Sequence, residues 1–297
     1  MVSSKPDGTA QRIDRPTQRI YLDEVVRAAL AEDLGERDVD VTTASVVDAD
    51  LMGEAVVVAR RPGVVSGGEA AARVFDMIRP GAVYLASVPD GKRVDTGDEV
   101  AKVTGPLTTI LIGERTALNF LQRMSGIATL TCRYADALAP FPRVTLLDTR
   151  KTTPGLRFLE RAAVRAGGGH NHRDGLWDAI LIKDNHVAAA GGVTEAVKRA
   201  RKAAMPVEVE VETLAQLVEA LEAGAEIVLL DNMSPELMRR AHEITAGRAQ
   251  LEASGGMTLE GAVAAAKAGV DRISVGALTH SAPALDLSLE VTRTWRQ

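Results

Sequence analysis

The 297-residue chain has a single cysteine, Cys132, which excludes an intramolecular disulfide and any metal site built on several thiolates. Aromatic residues amount to only 3%, so the core has to come from alanine, valine, leucine and isoleucine. No apolar run approaches the roughly 20 residues that a membrane-spanning helix needs. A basic surplus is missing too: 35 Lys and Arg against 40 Asp and Glu leave a formal charge of −5, which argues against general nucleic-acid binding. The opening stretch "MVSSKPDGTAQRIDRPTQ" has no apolar segment of the kind a secretory signal carries, and reads as a disordered leader over 1–20. The expectation is a soluble, cytoplasmic protein that works on neither membranes nor nucleic acid. What remains is ordinary globular composition, 46% apolar and 25% charged. The length suits two modest domains, or one large barrel with an attachment.

Two rhythms divide the chain. From Tyr21 to about Gly126 the pattern is mixed. "YLDEVVRAALAEDL" and "GEAAARVFDMI" space their apolar residues helically, while "GEAVVVARRPGVVSG" is a β-branched run closed by Pro-Gly. "AVYLASVPDGKRVDTGDEVAKVTGP" alternates β-rich stretches with Asp-Gly and Thr-Gly turns. That segment resembles the hammerhead-like module of biotinyl carriers, but lacks the methionine-flanked lysine that would carry a prosthetic group, and so reads as scaffold. "GERTALNFLQRMSGIATLTCRYADAL" is a long helix, or a helix pair, leading out of the region.

From Val144 onward short apolar runs recur, each closed by a polar cluster and followed by helical sequence: "VTLLDTRKT", "AILIKDNH", "VEVEVET", "EIVLLDN", "QLEASGG" and "RISVGAL". Strand–helix–strand at this spacing means right-handed βαβ units and a parallel sheet. Six units closing on themselves give an α/β barrel, complete or incomplete, with an open doubly wound sheet as the alternative. The polar residues fall at the C-terminal end of each run, the rim that carries the active site in α/β barrels. One rim then collects Asp148, Arg150 and Lys151, then Lys183, Asp184, Asn185 and His186, then Glu208 and Glu210, then Asp231 and Asn232, then Glu252 and Ser254. Strand ends fraying into solvent would explain one such cluster, but not five.

The clusters point to different chemistry. Gly255, Gly256 and Gly276, with Ser254 beside them, sit where small residues at strand-to-helix turns let backbone N–H groups approach a phosphate. Between Arg143 and Lys183 the chain is unusually basic for an acidic protein. Arg157, Arg161 and Arg165 are four apart and read as one stripe of a solvated helix face, whereas Arg150, Lys151, Arg173 and Lys183 fall at rim or loop positions. Guanidinium forks match carboxylates and phosphates bidentately, so this rim suits a substrate with several negative charges. Glu210 and Asp231, on successive strand ends, suit ribose hydroxyls, a magnesium ion, or both. In "VEVEVET" the alternation puts Glu208, Glu210 and Glu212 on one face, and Glu210 is nearest the centre of the rim.

"RAGGGHNHRDGLWDAILIKDNH" holds His170, His172 and His186, three of the five histidines. Three could converge on zinc, but the neighbouring cations disfavour another by Coulomb repulsion. Structural histidines and an anion clamp are the other two readings, and the clamp accounts best for the arginines and lysine alongside.

Together, "GERTALNFLQRMSGIAT", "DTRKTTPGLR", "AGGGHNHRDGLWDAILIKDNH", "EVEVE", "LLDN", "EASGG" and "SVGALTHS" resemble the quinolinate phosphoribosyltransferases, from roughly Tyr21 to the C-terminus and in the family's order. The resemblance implies an N-terminal α/β sandwich over 21–126 and an incomplete α/β barrel over 127–281 that carries the active site, with a C-terminal helix over 282–297 packing back on the first domain. It implies transfer of the phosphoribosyl group of phosphoribosyl pyrophosphate to quinolinate with decarboxylation, giving nicotinate mononucleotide, pyrophosphate and carbon dioxide. It further implies Mg2+ as cofactor and a homodimer, or dimer-based oligomer, with shared active sites. Carried onto this sequence, Arg150, His172, Arg173 and Lys183 surround the quinolinate carboxylates, Thr149 is a further substrate-binding residue, and Arg115 arrives from the partner subunit. Lys151 contacts the phosphates of phosphoribosyl pyrophosphate; Glu210 and Asp231 hold ribose and the magnesium-bound diphosphate; Lys151, Lys183, Glu210 and Asp231 are the catalytic set. Ser254, Gly255, Gly256, Gly276, Ala277 and Leu278 cradle the 5′-phosphate, with His280 nearby. Rival readings are a paralogue with another ring substrate, such as the related protein found with molybdate transport, a phosphosugar sensor, and a zinc-binding regulator.

Overall fold

The computed structural model describes residues 15–296, with side chains from Ile20 onward. Helix α1 (Arg15–Leu34) leads into α2 (Val41–Val46), whose Asp40 cap accepts the N–H groups of Thr42 and Thr43. There follow β1 (Leu51–Ala59), β2 (Gly63–Val64), α3 (Gly68–Met77), β3 (Val83–Ala86), β4 (Arg93–Val94), β5 (Glu99–Pro106) and the 32-residue α4 (Leu107–Leu138). Along β1 every second residue is buried, and Ala55, Val57 and Ala59 meet α4 and the core, as a strand with one covered face requires. Residues 1–14 of the expected leader lie outside the described residues, and its end differs from the expectation, since α1 already begins at Arg15. Pro16 fits the first turn of that helix, where no backbone N–H is needed.

The second half runs β6 (Thr145–Leu147), α5 (Arg157–Ala166), β7 (Ile180–Ile182), α6 (Asp184–Ala190), α7 (Val193–Ala200), β8 (Val207–Val211), α8 (Leu214–Glu222) and β9 (Ile227–Asp231). It continues through α9 (Pro235–Thr245), β10 (Gln250–Ser254), α10 (Leu259–Ala268), β11 (Arg272–Ser274) and α11 (Ala277–His280) to β12 (Leu287–Arg296). The six strands read from the sequence form one parallel sheet in the order β6-β11-β10-β9-β8-β7. Sequence neighbours β6 and β7 end up at opposite edges, with only a bridge from Leu147 to His170 beside β6, so the barrel is incomplete. Register sets Glu210, Leu229, Glu252, Arg272 and Thr145 in one row across five strands, and Asp231 and Ser254 side by side above it. Val207, Val209 and Val211 are buried on the opposite face of β8.

The C-terminal segment corrects an expectation. The described residues of the 282–297 segment do not form a helix; β12 pairs antiparallel with β1 from Leu51↔Arg296 to Ala59↔Leu287 and is the edge of the sheet β12-β1-β5-β3. The reason lies in "LSLEVTRTWR", where leucine and valine alternate with polar residues and Val291, Thr292, Thr294 and Trp295 favour the extended chain. The segment does return to the N-terminal sheet, pinned by Gln122 Nε2 donating to the Leu287 carbonyl at 2.7 Å.

Candidate active site

The rim is assembled strand end by strand end. After β6 comes Asp148, fully buried, then Thr149 and Arg150, half-buried, and the exposed Lys151. The Lys151 N–H donates to Thr149 Oγ1 at 3.1 Å, a tight local turn. After β11, Gly276 permits a close approach: a Cβ there would sit 3.0 Å from Lys151 Cδ and 3.2 Å from His280 Nε2. Lys151 and His280 thus lie together over a bare stretch of backbone. Thr279 Oγ1 donates to the Lys151 carbonyl at 2.8 Å and ties the two loops. Leu278 is fully buried, so its side chain belongs to the core and only its backbone can face this loop. Next along the rim, Ser254 and Asp231 are register partners, and Asp231 Oδ2 accepts the Asn232 side-chain amide at 2.8 Å. Gly255, at φ +94°, packs so close to Asn232 that a Cβ would fall 2.2 Å from Asn232 Oδ1. Opposite, Lys183 Nζ donates to Glu210 Oε2 at 2.8 Å, with the Glu210 side chain 12% exposed.

The loop 171–174, "NHRD", is held from behind. Arg161, 4% exposed, donates to the Arg173 carbonyl at 2.7 Å and to the His172 carbonyl, and pairs with Asp174 at 2.7 Å. Arg157 donates to the Asp174 carbonyl at 3.4 Å and Arg165 to Asn171 Oδ1. The arginine stripe of α5, expected to be solvated, is therefore a staple: its four-residue spacing is that of a helix face, with Arg161 buried under this loop, Arg157 half-buried and Arg165 still exposed. Asp148 completes the clasp by accepting the His172 N–H at 2.8 Å and Asn171 Nδ2 at 2.6 Å. Burial pushes its carboxyl up, against the pull of Arg161 and those hydrogen bonds.

His172 points into the barrel. Its Nε2 lies 3.0 Å from Glu208 Oε2 and 3.4 Å from Glu252 Oε1. Burial alone would lower the ring's pKa, but hydrogen bonds and charge from Glu208 and Glu252 outweigh it and raise the pKa to about 9. Nδ1 accepts the Arg173 N–H at 2.7 Å, which places a ring proton on Nε2, facing the two carboxylates. Both ring nitrogens have protein partners, so His172 acts on the rim through Arg173 and its own backbone; the geometry offers no free imidazole donor for an anion. Glu252 also accepts the Ser274 hydroxyl and meets Arg272 Nε at 2.8 Å. Although burial works against it, His172 and Arg272 hold its carboxyl below the ordinary value.

His172, Glu208 and Glu252 are also close enough to ligate a metal ion. Charge argues otherwise, because the His172 proton and Arg272 already neutralise both carboxylates. Arg150 and Arg173 stand beside this balanced cluster with no ion-pair partner among the described residues. Arg173 has a lowered pKa, first through burial and then through the neighbouring charge of Arg150. Arg150 Nε and Glu208 Oε1 are buried without a hydrogen-bond partner. Two neighbouring guanidiniums, Arg150 with its buried Nε unmet and Arg173 donating to the Ala179 carbonyl at 3.1 Å, make an anion site. A cavity of about 340 Å³ opens at the β7 edge, lined by Arg173, Leu181, Ile182 and His186 among others.

The structure thus gathers Thr149, Arg150, Lys151, Arg173, Lys183, Glu210, Asp231, Ser254, Gly255, Gly256, Gly276, Ala277 and His280 at the strand ends or the loops that follow them. Arg115 stands apart, exposed on α4. Sequence reasoning missed Glu208 and Glu252 as partners of His172, and Arg272 as the partner of Glu252; only the alternation in "VEVEVET" hinted that Glu208 faces inward.

Residues 40–125 match the family described as quinolinate phosphoribosyl transferase, N-terminal domain, and residues 127–290 match its C-terminal domain. The chain is 42% identical to a probable nicotinate-nucleotide pyrophosphorylase (carboxylating) of Bacillus subtilis, over 92% of this chain and 94% of that protein. It is also 42% identical to quinolinate phosphoribosyltransferase (decarboxylating) 1b of Nicotiana tabacum, over 90% of this chain and 81% of that one. The solved nicotinate-nucleotide pyrophosphorylase of Francisella tularensis superposes with a TM-score of 0.88 at 38% identity, covering 97% of this chain and all of that one.

Proposed function

Because the chain belongs to the quinolinate phosphoribosyltransferase family, we propose a specific division of labour along its rim. The reaction is that of the family: the phosphoribosyl group of phosphoribosyl pyrophosphate passes to quinolinate with decarboxylation, giving nicotinate mononucleotide, pyrophosphate and carbon dioxide in NAD biosynthesis. The observation that carries the site reading is the pair Arg150 and Arg173, two cations without an ion-pair partner among the described residues, beside a charge-balanced buried cluster. A dianionic ring such as quinolinate neutralises that pair, while a monoacid leaves one guanidinium unmet.

In this reading Arg150, Arg173 and Lys183 clamp the two ring carboxylates, and His172 fixes Arg173 from behind. Lys151 and His280 meet phosphate over the bare backbone at Gly276, and Ser254, Gly255 and Gly256 cradle the 5′-phosphate. Glu210 and Asp231 hold the ribose hydroxyls and stabilise the positive charge that develops at the ribose C1 as pyrophosphate leaves. The clamp holds the pyridine nitrogen in line for attack. Once that nitrogen is alkylated the adjacent carboxylate departs as carbon dioxide, its electron pair stabilised by the cationic nitrogen, and a proton takes its place. No protein nucleophile is required.

Magnesium fits this rim as an ion carried largely by the substrate. Glu210 and Asp231 are hard oxygen donors, and Asp231 has one oxygen free of the Asn232 amide. Bound there, the ion would neutralise diphosphate charge. Arg115, exposed on α4 and without an ion pair among the described residues, suits donation to the site of a second copy in a homodimer. The setting we propose is the cytoplasm; no helix among the described residues is long and apolar enough to cross a membrane. The test is product formation. Protein, magnesium and phosphoribosyl pyrophosphate are incubated with quinolinate or with nicotinate, and nicotinate mononucleotide is read by chromatography. Product from quinolinate alone supports the reading, and equal product from both refutes the clamp.

A further inference from the structure

Behind the phosphate end of the rim lies an ion pair that none of the substrate roles above uses. Glu160, on α5, is fully buried. Its Oε1 accepts Arg123 Nη2 at 2.9 Å and the Thr153 hydroxyl at 2.7 Å, and its Oε2 accepts the Thr153 N–H at 3.1 Å. Arg123, on α4, also donates to the carbonyls of Thr279 and Ala282, the latter at 3.0 Å. Thr279, itself buried, returns through its hydroxyl to the Lys151 carbonyl. The contacts form a closed circuit: Lys151, Thr279, Arg123, Glu160, Thr153, and by two peptide steps back to Lys151. It joins the loop after β6 to the segment after β11, the two pieces of chain that bring Lys151 and His280 together over Gly276.

We propose that Arg123 and Glu160 are positioning residues for phosphoribosyl pyrophosphate: their pair, built on the buried Glu160 carboxylate, fixes the distance between Lys151 and the Gly276–His280 segment. The inference rests on the placement of phosphoribosyl pyrophosphate given above. A salt bridge that merely held α4 to α5 would not need to satisfy carbonyls of the β11 segment and both donors of Thr153 at once. The circuit does not include the 171–174 loop, which has its own staple in Arg161 and Asp148. Breaking the circuit therefore loosens one substrate and largely spares the other.

The test is steady-state kinetics of the full chain with each substrate varied in turn, in Arg123→Met, Arg123→Lys, Glu160→Gln and Lys151→Ala. The Michaelis constant for phosphoribosyl pyrophosphate should rise roughly tenfold or more in Arg123→Met and Glu160→Gln, while that for quinolinate moves less than about threefold. Arg123→Lys, which keeps the charge, should recover part of the loss. Should Arg123→Met fold too poorly to assay, Glu160→Gln, which keeps the volume, carries the test alone. Equal changes for both substrates, or a lower melting temperature with unchanged Michaelis constants, overturn the proposal. A raised constant in Lys151→Ala with none in Arg123→Met or Glu160→Gln refutes the circuit alone. An unchanged constant in Lys151→Ala refutes the underlying placement of phosphoribosyl pyrophosphate, and the proposal with it.

Discussion

His172 makes the protein's stability depend on pH in a direction that can be worked out in advance. Its pKa rises from 6.5 in the unfolded chain to about 9 in the fold, because Glu208 and Glu252 hold the Nε2 side of a ring that is only 10% exposed. A raised folded-state pKa means that the native state binds the proton more tightly. The contribution is thus fully present below pH 6.5 and is lost as pH climbs through 9. With those two values linkage gives about 2.5 kcal/mol at pH 7 and close to nothing at pH 10. This is a ceiling, since the Arg173 N–H aimed at Nδ1 from 2.7 Å opposes the proton there. The assay is urea unfolding of the wild type and of His172→Gln at intervals from pH 6 to 10. Comparing the two cancels the titration of lysines, tyrosines and Cys132. The gap between them should close by up to about 3 kcal/mol over that range, on the same linkage. A gap that stays constant would show that the ring is neutral at pH 7, and the charge balance of the buried cluster would be wrong.

Two further substitutions probe the supports of the rim. Arg161→Met removes the donor to the carbonyls of His172 and Arg173 and leaves Asp148 and Asp174 without that cation. Losing one partner of a buried pair costs about 3–5 kcal/mol, so the melting temperature should fall and the Michaelis constant for quinolinate should rise more than that for phosphoribosyl pyrophosphate. Gly276→Val puts branched bulk where even a Cβ would lie 3.0 Å from Lys151 Cδ, and should weaken phosphoribosyl pyrophosphate binding with little change in unfolding free energy. Calorimetry of each ligand reads both.

The barrel was legible because short apolar or β-branched runs recur, each followed by helical sequence, and all six runs from "VTLLDTRKT" to "RISVGAL" became strands of one sheet. Their polar endings gave the rim directly. The C-terminal segment was misread because short alternating patterns such as "LSLEVTRTWR" take their partner from the far end of the chain, here β1, and no local signal names that partner. Arg157, Arg161 and Arg165 were placed on the right face of a helix, but what covers that face is set by a loop whose path depends on Asp148. The same holds for His172. Its neighbours in sequence are an asparagine and an arginine, while those that set its charge lie on β8 and β10.

The central claim is that Arg150 and Arg173 make the site select a dianion, and calorimetric titration of the protein with quinolinate and with nicotinate tests it most directly. Charge-assisted hydrogen bonds contribute about 1.5–3 kcal/mol each, so wild type should bind quinolinate at least roughly tenfold more tightly than nicotinate. Arg173→Ala should lose most of that preference while keeping its affinity for phosphoribosyl pyrophosphate. A preference that survives Arg173→Ala undiminished would place the source of selectivity elsewhere and contradict the account.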